Sequence, residues 1–187
     1  MKRTALFFVL TLSLSVGHAF EMAGVELQEE VRIDGAESPL VLNGAGIRKK
    51  LFFKVYLGSL YLPKRQSDPL LITDADEPMR MQMDILYSKV EKEKFIEGWN
   101  DGFAANHSAD ELMPLRDRIR QFNDMFVTLV EGDRIQLDYL PDQGTRVTIK
   151  GEVSGIIPGH DFNRALMKIW LGDSPVTSSL KKALLGK

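Results

Sequence analysis

The chain has 187 residues, with 24 Lys and Arg against 26 Asp and Glu, three His, no Cys and 44% hydrophobic residues. This composition is near the average for globular proteins, which excludes disordered, collagen-like and disulfide-stapled classes. Because cysteine is missing, a thiol nucleophile, a thiolate zinc site and a redox CxxC motif are excluded as well.

The first 19 residues have the three regions of a secretory signal peptide. Lys2 and Arg3 precede an apolar run over residues 5–16, and Gly17-His18-Ala19 supplies the small residues that a signal peptidase reads. The run is shorter than the roughly 20 residues that a membrane-spanning helix needs. We therefore expect cleavage after Ala19, a single exported domain over residues 20–187, and a periplasmic location. An uncleaved N-terminal anchor is the alternative, and an extracellular location stays open.

Cleavage would remove two basic residues and no acidic one, so the formal net charge of −2 would become more negative. The remaining chain has no basic tract and no second long apolar run. The sequence therefore predicts no nucleic-acid partner and no transmembrane span in the mature chain.

The first half of this domain is typical of β-strands. Apolar and polar residues alternate over residues 25–33, Asp34-Gly35 predicts a turn, and the alternation resumes at residue 40. The longest strand is predicted over residues 51–62, with one core face formed by Leu51, Phe53, Val55 and Leu57. A further strand is predicted over residues 80–87.

The middle of the chain predicts helices. Phe95, Trp99 and Phe103 form an apolar stripe on a helix over residues 90–105, and Ser108 with Glu111 has capping-box spacing at the start of a second helix. Alternating strands return near residues 135–139, 147–149 and 153–157, with a reverse turn at 141–144. Two helices are predicted to end the chain, over residues 161–171 and from Ser174-Pro175 to residue 186. Strands and helices occur in separate runs, which predicts an α+β class.

Motifs for hydrolases, metals and cofactors are missing. The sequence has no GxSxG or HExxH motif, and His107 and His160 lack ligand spacing to another His, so we expect neither a metal nor a cofactor. Gly44-Ala45-Gly46 resembles the start of a dinucleotide fingerprint, but its third glycine is replaced by Lys49 and a strand follows it. These glycines are better explained by a bulge or a tight turn.

Arg48 follows these glycines, and its presence there can be interpreted in two ways. A solvated surface arginine is the common one. The other is an anion anchor in a cleft, because a guanidinium stays charged and binds a carboxylate or enolate with two parallel hydrogen bonds. A buried arginine without such a partner would be costly, so a cleft position implies an anionic or strongly polar ligand.

Three separated segments occur in one order: LNGAGIR at residues 42–48, FKVYLGSLYL at 53–62, and IWLGDSP at 169–175 followed by SLKKALLG. Together they resemble the bacterial chalcone isomerase-like family, from about residue 25 to the C-terminus. The resemblance implies an open-faced β-sandwich, in which a helical layer covers a large antiparallel sheet and a ligand cleft lies between them.

The resemblance also implies a set of site residues. Arg48 matches the arginine with which the plant enzymes of the family activate the substrate oxygen while a phenolate adds to an enone. Tyr56 stands where those enzymes have threonine, as in the fatty-acid-binding members, where arginine and tyrosine bind a carboxylate. Tyr87 resembles the enzymes' tyrosine, but Lys94 stands where their asparagine is expected. Asn163 is the nearest candidate for their late hydroxyl residue.

Arg48 and Tyr56 share a site only if the chain turns between them. At about 3.3 Å per residue, an unbroken strand would separate the two residues by about 26 Å. Lys49-Lys50 is the predicted turn, which would place Tyr56 opposite Asn43. Whether Arg48 and Tyr56 act together therefore stays open.

These observations predict an exported, non-catalytic protein that binds a small amphipathic anion, such as a fatty acid or an aromatic carboxylate. Arg48 is the expected anchor, with Tyr56, Tyr87 and Asn163 as further ligand-binding residues. Two alternatives remain. One is a chalcone–flavanone type isomerase, an intramolecular lyase with Arg48 and Tyr87 as catalytic residues, and the other is an envelope protein-interaction module without a ligand.

Overall fold

The computed structural model describes residues 19–187. Apart from Ala19, the predicted signal peptide lies outside the described residues. The predicted cleavage and the domain boundary at residue 19 therefore stay predictions.

The described chain contains eleven strands and six α-helices. The strands are β1 (Ala19–Met22), β2 (Val25–Gln28), β3 (Glu30–Val31), β4 (Leu40–Lys50), β5 (Phe53–Leu62), β6 (Met79–Ile85), β7 (Lys89–Val90), β8 (Leu129–Val130), β9 (Arg134–Leu140), β10 (Gly144–Ile149) and β11 (Glu152–Ile157). The helices are α1 (Pro69–Asp74), α2 (Lys92–Asn106), α3 (Ala109–Leu112), α4 (Arg116–Asp124), α5 (His160–Leu171) and α6 (Ser178–Leu184).

Seven strands form one antiparallel sheet in the order β11-β10-β9-β6-β5-β4-β3. One face of this sheet packs against helices through a continuous apolar core that contains Met81 and Met83 of β6, Phe103 of α2, and Leu166 and Trp170 of α5. This arrangement is the predicted α+β, open-faced sandwich. No helix within residues 19–187 is both long and apolar enough to cross a bilayer.

The opposite face of the sheet carries a buried polar network. Arg80 and Asp138, on adjacent strands, form two hydrogen bonds of 2.5 and 2.8 Å, and Arg146 reaches the same carboxylate at 3.3 Å. Asp84 accepts a 2.5 Å hydrogen bond from Arg134. Because alternate residues of a strand point to opposite faces, β6 supplies methionines to the helical side and charged residues to this side.

The hairpin between β4 and β5 corrects two sequence predictions. The predicted turn at Lys49-Lys50 was wrong, because β4 continues to Lys50 and the turn is formed by Leu51 and Phe52. The predicted strand start at residue 51 was wrong for the same reason. Leu51 and Phe53 were expected on the core face, yet their side chains are exposed because they lie at the end of the hairpin.

The glycines before Arg48 allow a helix to approach the sheet. A Cβ on Gly44 would lie 2.1 Å from the carbonyl oxygen of Ala183 in α6, and one on Gly46 would lie 2.5 Å from the Ala183 Cβ. The predicted bulge is present between Leu42 and Gly44. These glycines therefore serve packing against α6, and β4 continues where a dinucleotide site would need a helix.

Helix α2 and the Ser108–Glu111 capping box are confirmed. The single helix predicted after the box was wrong, because Pro114 divides it into α3, a 3₁₀ turn at Met113–Leu115 and α4. Helix α1 was not predicted, although Asp68 caps it and Pro69 begins it. The last helix begins later than the Ser174-Pro175 signal indicated, since the Thr177 side chain accepts the capping hydrogen bond from Leu180.

Candidate ligand-binding cavity

A cavity of about 380 Å³ lies between the sheet and the helical layer. Its walls come from β4, β5, β7, α2 and α5. The volume falls within the range of small-molecule sites, roughly 300–1,000 Å³. The lining changes from buried and mostly apolar at one end, with Tyr56, Phe95, Trp99 and Ile169, to exposed and charged at the other.

The hairpin places Arg48 and Tyr56 side by side in this cavity. A turn at Leu51 and Phe52 alone would pair Arg48 with Val55, but the register shift between Arg48 and Lys49 makes Arg48 the direct cross-strand partner of Tyr56. The guanidinium carbon of Arg48 lies 5.8 Å from the centre of the Tyr56 ring. This contact favours the cation, since the face of an aromatic ring is electronegative.

Tyr56 is held at the buried end of the cavity by a hydrogen bond. The indole Nε1 of Trp170 in α5 donates to the Tyr56 hydroxyl oxygen at 2.8 Å. The hydroxyl proton of Tyr56 is donated to no acceptor among the described residues, so it is available to a bound molecule. No pattern in the sequence indicated that Trp170 orients Tyr56.

Burial raises the pKa of Tyr56 to about 12, although the nearby Arg48 cation and the Trp170 hydrogen bond both oppose the rise. At neutral pH the side chain is therefore a neutral donor. Such a group can hydrogen-bond to an anion, and it is a poor general base.

Arg48 is half-buried, and no carboxylate within residues 19–187 lies at ion-pair distance from its guanidinium. Four charged residues at the exposed end form ion pairs with one another instead. Lys89 contacts Glu91 at 2.7 Å, and Lys94 contacts Glu97 at 2.6 Å. Arg48 and the exposed Lys50 form no ion pair within residues 19–187, and Arg48 is the more buried of these two lining cations.

Of the other two predicted site residues, one lines the cavity and one does not. Tyr87 lines the cavity at its exposed end, where its ring packs edge-on against Phe53 at 5.5 Å. Asn163 was expected among the ligand-binding residues, but it is not among the residues that line this cavity. It lies in α5 and is buried, where it accepts from Thr145 at 3.4 Å and its amide contacts the Met79 sulfur at 3.5 Å. Its polar group is satisfied within the core, away from the cavity.

Lys94 lines the cavity at the position where the enzymes' asparagine was expected. Its hydrogen bond to Glu97 raises the pKa of Lys94, and the same bond lowers the pKa of Glu97. Both side chains are therefore charged at neutral pH. An ammonium group paired in this way replaces the neutral amide of an asparagine.

The described part of the chain contains no candidate metal site, since no three His, Cys, Asp or Glu side chains cluster around a common point there. Among the described residues, the cavity accordingly offers hydrogen-bond donors, two cations without an ion pair, Arg48 and Lys50, and apolar walls. Such a set suits an amphipathic anion.

A large antiparallel sheet, a helical layer on one face and a cavity between them define an open-faced sandwich with a ligand-sized site. The chain belongs to the chalcone isomerase-like family, whose model matches residues 19–186. No protein of curated function matches the sequence.

Among solved structures, the chain is similar to a fatty-acid binding protein of Arabidopsis thaliana. The similarity covers 90% of this chain and 96% of that one, with a TM-score of 0.68 and 18% sequence identity. At this identity the likeness shows the shared fold.

Proposed function

We propose that the cavity binds the carboxylate of a fatty acid or an aromatic acid and that the protein carries this ligand without converting it. The observation that carries the proposal is the guanidinium of Arg48, which has no carboxylate at ion-pair distance among the described residues, over the Tyr56 ring at the boundary of an apolar cavity. The fatty-acid binding protein with the same fold supports this assignment.

The two side chains are complementary to a carboxylate. A guanidinium offers parallel N–H donors that match the two carboxylate oxygens, and these charge-assisted hydrogen bonds are stronger than neutral ones. The Tyr56 hydroxyl accepts from Trp170 and can donate its own proton to one of the oxygens. A bound carboxylate would also compensate the partial desolvation of Arg48.

The apolar part of the ligand would contact the buried end of the cavity. Phe95, Trp99 and Ile169 are buried wall residues, and Val55 and Val176 are half-buried ones. Burial of apolar surface contributes about 25 cal/mol per Å². An alkyl chain or an aromatic ring would therefore add affinity that a free inorganic anion cannot obtain.

An isomerase of the chalcone type is the second candidate, since Arg48 and Tyr87 line the same cavity. Two features favour a ligand carrier over a catalytically active isomerase. Tyr56 occupies the place that the enzymes give to threonine, and Lys94, paired with Glu97, occupies the place of their asparagine. The interaction module without a ligand is disfavoured, because Arg48 lies beside a cavity.

We also propose that the protein is exported and that cleavage follows Ala19. The support is the charged, apolar and small-residue order of residues 1–19, and the family match begins at residue 19. Cleavage there would leave Phe20–Met22 to pair with β2. Intact mass of the protein recovered after expression in a Gram-negative host tests this, with a periplasmic product that begins at Phe20 expected.

Native mass spectrometry of the protein, purified without denaturant or organic solvent, tests the ligand proposal. We expect a copurifying carboxylic acid in the wild type and a reduced bound fraction in Arg48→Gln. Conversion of 2′-hydroxychalcone by the wild type, abolished in Arg48→Gln, would overturn the carrier proposal in favour of the isomerase. A protein that is empty, takes up no added carboxylate and leaves 2′-hydroxychalcone unconverted would overturn both.

A further inference from the structure

The end of the β4–β5 hairpin carries an exposed run of basic and apolar side chains. This hairpin tip consists of Lys49, Lys50, Leu51, Phe52, Phe53 and Lys54, and all six residues are exposed. Leu51 is 83% exposed and Phe52 is 95% exposed. Three consecutive large apolar side chains in water, at a turn that polar residues could form as well, indicate a binding surface.

The residue at the turn is not of a type that the turn geometry favours. Leu51 has φ +56°, in the left-handed region that favours Gly or Asn and disfavours larger apolar residues. A leucine here gains no core contact that would offset the conformational cost. The apolar character of the tip is therefore unexplained by the fold itself.

The positive charge of the hairpin tip favours an anionic partner. Lys49, Lys50 and Lys54 flank the apolar residues. No carboxylate within residues 19–187 forms an ion pair with these three lysines, since Glu91 pairs with Lys89 and Glu97 with Lys94. Exposed apolar side chains between lysines complement an anionic bilayer, whose headgroups attract the cations and whose acyl region accepts the apolar groups. A second copy of the chain would place lysines against lysines.

The tip also borders the cavity, since Lys50, Leu51 and Phe53 are among its lining residues. We propose that the hairpin tip docks on anionic lipid membranes, with Leu51 and Phe52 in the interface and the exposed end of the cavity against the lipid. A carrier docked in this way would exchange an amphipathic ligand with the bilayer without passing it through water. Docking itself goes beyond the proposed ligand and does not depend on it.

Co-sedimentation with vesicles free of fatty acid tests the docking. The vesicles are pure phosphatidylcholine or an equal mixture of phosphatidylcholine and phosphatidylglycerol, and every variant carries the same N-terminus. We expect the wild type to bind the mixed vesicles at least about tenfold more tightly than the neutral ones. Each of Leu51→Asn/Phe52→Ser and Lys49→Gln/Lys54→Gln should reduce binding to the mixed vesicles by about tenfold or more.

Matched controls separate the tip from general surface effects. Leu70→Ser/Met113→Ser removes two apolar side chains elsewhere that are 65% and 67% exposed, and Lys64→Gln/Lys182→Gln removes two exposed lysines away from the hairpin tip. Both controls should bind mixed vesicles like the wild type. Equal binding by tip variants and wild type, or no preference for anionic vesicles, would overturn the proposal. Self-association that the Leu51→Asn/Phe52→Ser change abolishes, without vesicle binding, would assign the tip to a second copy instead.

Discussion

Arg48 of β4 lies directly across the hairpin from Tyr56 of β5, with the guanidinium carbon 5.8 Å from the ring centre. The turn at Leu51 and Phe52 and the register shift between Arg48 and Lys49 together set this pairing, since the turn alone would place Arg48 opposite Val55. The hairpin thus brings a cation and a neutral hydroxyl donor to one wall of the cavity, which the order of residues along a single strand would not do.

Removal of the Tyr56 hydroxyl should cost stability as well as affinity. In Tyr56→Phe the buried Trp170 N–H loses its acceptor, and leaving a buried donor unpaired costs about 1–3 kcal/mol. Urea denaturation measures this loss. Tyr87→Phe is the matched control, because Tyr87 is partly exposed, and it should change the free energy of unfolding by less than about 0.5 kcal/mol. Equal effects of the two changes would contradict the assigned role of Tyr56.

Alkaline pH should destabilise the fold through the same residue. The pKa of Tyr56 is raised from 10.0 to about 12 in the folded state, so its contribution is complete below pH 10 and is lost as pH rises through 12. A rise of this size corresponds to about 3 kcal/mol at most. Denaturation across this pH range should give a shallower loss for Tyr56→Phe than for the wild type. Parallel pH profiles would show that Tyr56 does not carry the effect.

A glycine of β4 and a glycine of α2 predict opposite effects of a Gly→Ala change on stability. Gly44→Ala would drive a Cβ to 2.1 Å from the Ala183 carbonyl oxygen and should destabilise by about 1–3 kcal/mol. Gly98→Ala, in α2 with no atom within 4 Å of the added Cβ, should stabilise by about 0.5–1 kcal/mol. Thermal unfolding distinguishes them, and a neutral Gly44→Ala would contradict the close approach of α6.

Removal of one carboxylate from the polar face of the sheet should strongly reduce the free energy of unfolding. Asp138→Ala leaves the buried Arg80 without its bidentate partner, and breaking a buried pair in this way costs about 3–5 kcal/mol. Asp117→Ala, which removes an exposed pair with Arg120, should cost less than about 1 kcal/mol. Comparable losses in the two variants by urea denaturation would contradict the burial of the network.

The sequence was sufficient for the class of fold, because periodicity marks most of the elements. Phe95, Trp99 and Phe103 at helical spacing identified α2, and the alternation over β9 and β10 identified the antiparallel ladder. Helix α1 was missed because six residues carry too little periodicity, and its cap at Asp68 was the signal that could have found it.

The site was predicted less completely. Arg48 and Tyr56 were singled out, but their juxtaposition depends on a turn formed by Leu51 and Phe52, two residues that pattern reasoning assigns to a strand. Trp170 was missed as a partner of Tyr56, because a hydrogen bond between residues 114 positions apart leaves no trace in local spacing. Asn163 was chosen by polarity alone, and its burial in the core could not be read from one sequence.

The most direct test of the account is calorimetric binding of dodecanoate and of the uncharged dodecanol to the wild type and to Arg48→Gln. The account predicts that Arg48→Gln weakens dodecanoate binding by about tenfold to a hundredfold, the value of a charge-assisted hydrogen bond, and leaves dodecanol binding unchanged. Dodecanoate binding that is equally tight in both proteins would contradict the assignment of Arg48 as the anion anchor.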